Sequence, residues 1–195
     1  MSLNLPEYTF RDNDLLETAL THRSAGRDNN ERLEYLGDSA LGFIITEYLF
    51  LEFPAAQEGV LTRLRANLVK RETLARLARQ LDIGSHIRLG PGERKSGGWR
   101  RDSILANALE SIIGAIYLDS DLAECKRFIM AIYRETLDEL NLAGLEKDPK
   151  TVLQELLQAR KMPLPVYQIV REQGEAHDRT FTVSCEIAGL DQLII

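Results

Sequence analysis

Asn30 to Ile45, reading NERLEYLGDSALGFII, places Glu31, Glu34 and Asp38 in a run otherwise dominated by Leu, Tyr, Phe, Ile and Ala. At about 100° per residue, offsets of three and seven hold the three carboxylates within about 60° of one another on a helix. Leu33, Leu36, Ala40, Leu41, Phe43 and Ile44 cover most of the remaining circumference, predicting a largely buried helix whose acidic stripe opens on a cleft. Clustered carboxylates repel one another and resist desolvation, so they call for cations. Taken alone, the stripe reads equally well as a solvated acidic face.

Ser103 to Asp119, SILANALESIIGAIYLD, shifts that balance. It has a helical period and is nearly all apolar, with Asn107 and Glu110 its only strongly polar interior positions. A lone glutamate in such a helix needs a partner, because burying an uncompensated carboxylate costs several kcal/mol or forces protonation. Asn107 and Glu110 lie at i and i+3 and share a face. Two buried helices offering oxygen ligands, with no Cys or His among them, suit a hard cation such as Mg²⁺ or Mn²⁺.

The chain has 195 residues and a net charge of −6, enough for one sizeable domain plus a small one and too acidic for a generally basic nucleic-acid coat. A local basic surface remains compatible with that balance. Cys125 and Cys185 fall in unrelated patterns, so neither a disulfide framework nor a zinc ligand set is expected. The opening residues lack a charged segment followed by a long apolar one, and no apolar run reaches membrane-spanning length. The expectation is a soluble, cytoplasmic protein with no membrane partner.

Working outward, residues 12–21 form a helix opened by Asp and Asn, with Leu15, Leu16, Ala19 and Leu20 inward. His22 in THRS reads as a general base or as a hydrogen-bonded structural histidine, the second being favoured. The acidic helix is expected over 31–50, with Pro54 marking its exit. Residues 58–81 read as one further helical tract with inward leucines and a basic flank; Glu58 at its start would reach the acidic cleft as an outer carboxylate. Gly90 to Arg101, GPGERKSGGWRR, reads as a loop that brings backbone N–H groups and Arg94, Lys95, Arg100 and Arg101 to phosphates. Trp99 there is a packing anchor or a sugar contact. Its position just before the Asn107 and Glu110 helix favours a polyanionic substrate.

A further amphipathic helix to about residue 140 completes an all-α bundle, and residues 141–147 read as a linker. Asp148 and Pro149 then open a short helix, followed by two β-branched alternating runs, PVYQIVRE and RTFTVSCEIAG. This is a second, α+β module.

With these residues assembled, the chain resembles bacterial ribonuclease III. NNERLEYLGDSAL is similar to that family's signature, supported in order by THRS, EGVLTRLRANLV, LGPGERKSGGWRRDSILA and LESIIGAIYLD, while residues 148–189 resemble the first two-thirds of its double-stranded-RNA-binding domain. The resemblance implies a nuclease and dimerisation domain over 1–140 that works as a homodimer on double-stranded RNA, and an RNA-binding domain over 148–195. It matches Glu34, Asp38, Asn107 and Glu110 to the metal site, with Asp38 and Glu110 catalytic, and Glu31 and Glu58 to additional acidic positions. Tyr35 matches an aromatic that enters a socket on the partner subunit; on the residues alone it reads equally as intramolecular core. Thr151, Gln154 and His177 match RNA-contacting positions.

The chemistry implied is phosphodiester hydrolysis assisted by Mg²⁺, for which Mn²⁺ can substitute. One ion would activate water and a second, about 4 Å away, would steady the leaving oxygen. The expected products carry 5′-phosphate and 3′-hydroxyl ends with short 3′ overhangs, from ribosomal RNA precursors and structured messages. Two departures stand out. Asn107 occupies a position that is usually aspartate, which leaves open a double-stranded-RNA-binding protein without cleavage. And residues 190–195 supply neither a third strand nor a closing basic helix, so the second domain is expected to be incomplete, with an unpaired apolar edge ending in Leu193, Ile194 and Ile195. A small-phosphate metalloenzyme ranks last, having no use for the basic segment or the second module.

Overall fold

The computed structural model describes Leu3 and residues 5–140, 149–173, 179–188 and 193–194. It divides into two compact units, Met1–Leu145 and Glu146–Ile195.

The first unit is all-helical, and its elements follow from capping and apolar period. Helix α1 (Asn13–Ala19) is opened by Asp12, whose side chain accepts from Asp14 N–H at 2.9 Å. Helix α2 (Glu31–Glu52) buries Leu33, Ala40, Leu41, Ile44, Ile45 and Leu49. Asn29 Oδ1 accepts from Glu31 N–H at 3.0 Å, satisfying one of its orphan donors. Phe43 departs from expectation. It is 56% exposed, on the outward stripe it shares with Tyr35 and Ser39 at i and i+4 spacing.

The basic tract is two helices rather than one, α3 (Glu58–Val69) and α4 (Arg71–Gln80), broken at Lys70, whose ψ of 153° is extended. The break lets Leu64 and Leu68 of one helix and Leu74 and Leu77 of the next enter the same core. Side chains cover the carbonyls freed at the break: Tyr133 Oη donates to Leu68 O at 3.0 Å and Thr73 Oγ1 to Asn67 O at 2.8 Å.

The segment expected as a loop contains α5 (Pro91–Lys95), with proline at its first turn, and a 3-10 turn at Gly98–Arg100. Gly97 joins them at φ 74°, a left-handed conformation that favours glycine. Helix α6 (Asp102–Asp119) is the hub, burying Ile104, Leu105, Leu109, Ile112, Ile113 and Ile116 and packing on α1, α2, α4 and α7 (Leu122–Asp138). Each such side chain contributes roughly 1.5–3 kcal/mol on burial. Its C-terminal Asp119 clasps the amino-terminal segment, accepting from Tyr8 Oη at 2.6 Å, Arg11 N–H at 2.9 Å and Asp12 N–H at 2.8 Å.

The second unit has α8 (Pro149–Ala159), β1 (Val166–Gln173) and β2 (Thr180–Glu186) in an antiparallel pair, with a register irregularity between Ile169 and Arg171. Leu157, Cys185 and Ile187 form its core, with Leu153, Met162 and Tyr167 packed against it. Here the expectation of no third strand is corrected. Leu193–Ile194 form β3, pairing antiparallel with Cys185 and Ser184 and giving the sheet order β1-β2-β3. Backbone hydrogen bonding to β2 claims those residues, which hydrophobic pattern alone left unpartnered. The expected linker at 141–147 and the cap at Asp148 lie outside the described residues. Among the described residues no helix is long and apolar enough to cross a membrane.

Candidate metal and nuclease site

Two helices build the site. At their crossing, a Cβ on Gly37 would collide with the carbonyl oxygen of Glu110 and come within 2.9 Å of Gly114 N, so the backbones of α2 and α6 touch with no side chain between them. Contact this close fixes what flanks it. From α2, Glu34 and Asp38 line a cavity of about 510 Å³; from α6, Asn107 and Glu110 line it from across. Glu31, Tyr35, Asn30, His22, Arg23, Ser103 and Ile104 complete the wall. The Ser111 hydroxyl pins the two helices behind the site, 2.7 Å from Asn107 O and 3.2 Å from Asn30 O.

The electrostatics are those of crowded carboxylates. Burial, reinforced by the charges of Asp38 and Glu34, pushes the Glu110 carboxyl up to about 7. Burial likewise raises Glu34, with Glu31 and Asp38 adding to the rise and a hydrogen bond from the Asn107 amide opposing it. An aspartate at position 107 would have no such donor. Asn107 thus spends its N–H on Glu34 and has its Oδ1 left to serve a ligand.

These residues fit a hard divalent cation. Four carboxylates, Glu31 at the rim among them, and the Asn107 amide face one cavity, with no thiolate among them. Among the described residues no three acidic, His or Cys side chains are already drawn into a tight cage. A cation would offset the mutual repulsion of these like charges.

Other expected residues lie elsewhere. Glu31 is on the cavity rim, paired with Arg23 at 3.5 Å. Glu58 is not in the lining; its carboxylate accepts from Thr62 Oγ1 at 2.7 Å within α3. Neither do Arg94, Lys95, Arg100 and Arg101 line the cavity. Arg94 and Lys95 are exposed at the end of α5, Arg100 stacks over Trp99 at 4.1 Å, and Arg101 pairs with Glu93 at 2.6 Å. Trp99 is partly exposed under that guanidinium. Tyr35 is 80% exposed and so is not intramolecular core. In the second unit Gln154 is exposed on α8; Thr151 lies on the same helix, its side chain outside the described residues, as is His177.

His22 makes hydrogen bonds, as the structural reading expects: its Nδ1 is 2.8 Å from Ser24 Oγ. Burial lowers its basicity. Arg23, Asn30 and Ser103 were not anticipated as lining residues; for Arg23 the signal was present, since it sits within THRS.

The chain and its fold are similar to those of known proteins. Residues 12–137 match the family described as Ribonuclease-III-like, and residues 149–192 match the double-stranded RNA binding motif. Ribonuclease 3 of Vibrio cholerae is 54% identical over 188 residues, covering 96% of this chain and 84% of the relative. A solved nuclease domain of ribonuclease III from Campylobacter jejuni, described for structural flexibility in the region involved in dimer formation, aligns with a TM-score of 0.66. It shares 41% identity over 67% of this chain and 92% of that one. Dicer from Pichia stipitis aligns at 0.56 with 26% identity, covering 98% of this chain and 90% of its own.

Proposed function

Since the chain belongs to the ribonuclease III family, we propose that its acidic cavity is where this endonuclease hydrolyses double-stranded RNA, with the second unit adding affinity for the duplex. The observation that carries this reading is the convergence of Glu34, Asp38 and Glu110 with Asn107 from two helices whose backbones touch.

Asp38, Glu34, Glu110 and the Asn107 amide oxygen would hold Mg²⁺, with Mn²⁺ able to substitute. What such a cation supplies is Lewis acidity toward an attacking water and neutralisation of phosphate charge. The chain's own part is placement. The Gly37–Gly114 contact fixes the distance between Asp38 and Glu110, and the amide of Asn107 orients Glu34. Water oxygen attacks phosphorus, the bond to the 3′ oxygen breaks, and that oxygen leaves protonated. The products carry 5′-phosphate and 3′-hydroxyl ends.

The working form is a homodimer. Tyr35, Phe43 and Phe50 form an exposed aromatic stripe along α2, and the Campylobacter nuclease domain has a region involved in dimer formation. Two cavities on one duplex would make staggered cuts with short 3′ overhangs. Duplex RNA is read mainly by A-form shape and 2′-hydroxyls, so ribosomal RNA precursors and structured messages in the cytoplasm are suitable substrates.

The decisive experiment is cleavage of an end-labelled RNA hairpin with Mg²⁺, with chelator, and with Glu110→Ala. Mg²⁺-dependent staggered cuts, abolished by the substitution, are expected. Hairpin binding without cuts at any Mg²⁺ or Mn²⁺ concentration would overturn the assignment.

A further inference from the structure

We propose that His22 donates its Nε2 hydrogen to a phosphate oxygen of the RNA seated over the acidic cavity, orienting that phosphate for attack. The inference rests on the nuclease reading above.

The argument is one of proton accounting. Ser24 N–H lies 3.2 Å from His22 Nδ1, and a backbone amide can only donate. Gly90 N–H likewise donates to Ser24 Oγ at 3.0 Å, leaving the serine hydroxyl hydrogen to point at Nδ1, 2.8 Å away. Nδ1 is therefore an acceptor twice over and carries no proton. With Nδ1 unprotonated the ring is the neutral Nε2–H tautomer, and burial lowers its basicity against the opposing charges of Glu93 and Glu31. Its remaining lone pair is spent, so it is not a general base. It is a donor, and among the described residues Nε2–H has no protein acceptor.

His22 lines the cavity beside four carboxylates. Glu31, Glu34, Asp38 and Glu110 repel a phosphate when ionised, Arg23 is paired with Glu31, and the Asn107 amide is turned to Glu34. The His22 frame is stiff as well: its N–H donates to Arg88 O at 3.0 Å, and Ser24 packs on Gly90 so closely that a Cβ there would strike Ser24 O. A rigid, neutral donor at the rim adds no charge that would compete with a cation for the carboxylates.

Two substitutions separate this role from a structural one. Asn at 22 puts an amide group at the Nδ1 position and removes the Nε2 donor; Gln puts an amide N–H near Nε2 and abandons Nδ1. His22→Asn is expected to keep the wild-type melting temperature while hairpin affinity in Ca²⁺, or single-turnover cleavage in Mg²⁺, falls about 10- to 100-fold, the loss of one hydrogen bond to a charged group. His22→Gln is expected to melt lower yet recover most of that loss. The pH–rate profile should keep its shape in both. Wild-type function in the Asn variant would overturn the proposal, as would a folded Gln variant as impaired as Asn. Failure of the nuclease reading looks different. The wild type itself would bind hairpin in Ca²⁺ without cutting it in Mg²⁺, and the binding comparison would still decide the role of His22.

Discussion

Gly37 and Gly114 face each other at the crossing of α2 and α6: a Cβ on Gly114 would strike Leu33 O and sit 3.1 Å from Gly37 N. The crossing lies one residue from Asp38 and four from Glu110. Gly37→Ala should gain about 1 kcal/mol of helix propensity and lose about 3 kcal/mol to overpacking against backbone that cannot yield, a net destabilisation. Urea titration checks it, with Gly42→Ala as the matched control, since nothing lies within 4 Å of a Cβ there and the change should stabilise. Cleavage by a folded Gly37→Ala protein should fall further than its stability, because Asp38 and Glu110 are forced apart.

Stability without metal should decline with rising pH. The Glu110 pKa in the folded chain is about 7 against an ordinary 4.5, so the folded state holds its proton more tightly than the unfolded chain does. Its contribution is full below the lower value and is lost as pH rises through the upper one. In chelator, the melting temperature should therefore drop between about pH 5 and 7.5. Glu110→Gln should flatten that drop and melt higher than wild type at the alkaline end, while saturating Mg²⁺ should restore the wild type by binding the folded form. A pH-independent difference between the two proteins would refute this.

Asn107→Asp exchanges an amide for a carboxylate beside Glu34, Asp38 and Glu110. The added charge should lower the Mg²⁺ concentration for half-maximal cleavage by about tenfold. It also removes the donor to Glu34, so in chelator the variant should melt below wild type. A Mg²⁺ titration and a melt read the two opposed effects separately.

Tyr133→Phe isolates the support for the α3–α4 break. It leaves the buried carbonyl of Leu68 without its hydroxyl partner, which should cost about 1–2 kcal/mol. Tyr133 is buried and outside the cavity lining but near enough to Glu110 to feel its charge, so single-turnover cleavage should change far less than stability does.

Much of this was legible in the residues. Spacings of i, i+4 in Glu34 and Asp38 and of i, i+3 in Asn107 and Glu110 suffice to aim each pair from one helix face, and an apolar α6 needs its carboxylate answered. What periodicity does not carry is which of two apolar faces the protein's own core covers, hence Phe43 outside. Nor does it mark a break inside a continuous helical period, as at Lys70, which has neither glycine nor proline to announce it. Glu58 sits on a helix of its own, whose placement depends on that break. Strand β3 is two residues long, too short to show alternation, and is defined by its hydrogen bonds to β2. The tautomer of His22 is set by the backbone N–H of Ser24, whose direction no residue pattern carries.

Tyr35 is the immediate neighbour of Glu34, and its ring stands in solvent at the lip of the cavity. Under the proposed self-association through this stripe, burying Tyr35 would also remove water from one wall of the acidic cavity and complete its enclosure. Catalysis would then carry a built-in dependence on protein concentration. Specific activity would fall on dilution, and the amount of the nuclease in the cell would set how steeply its output responds to its own synthesis.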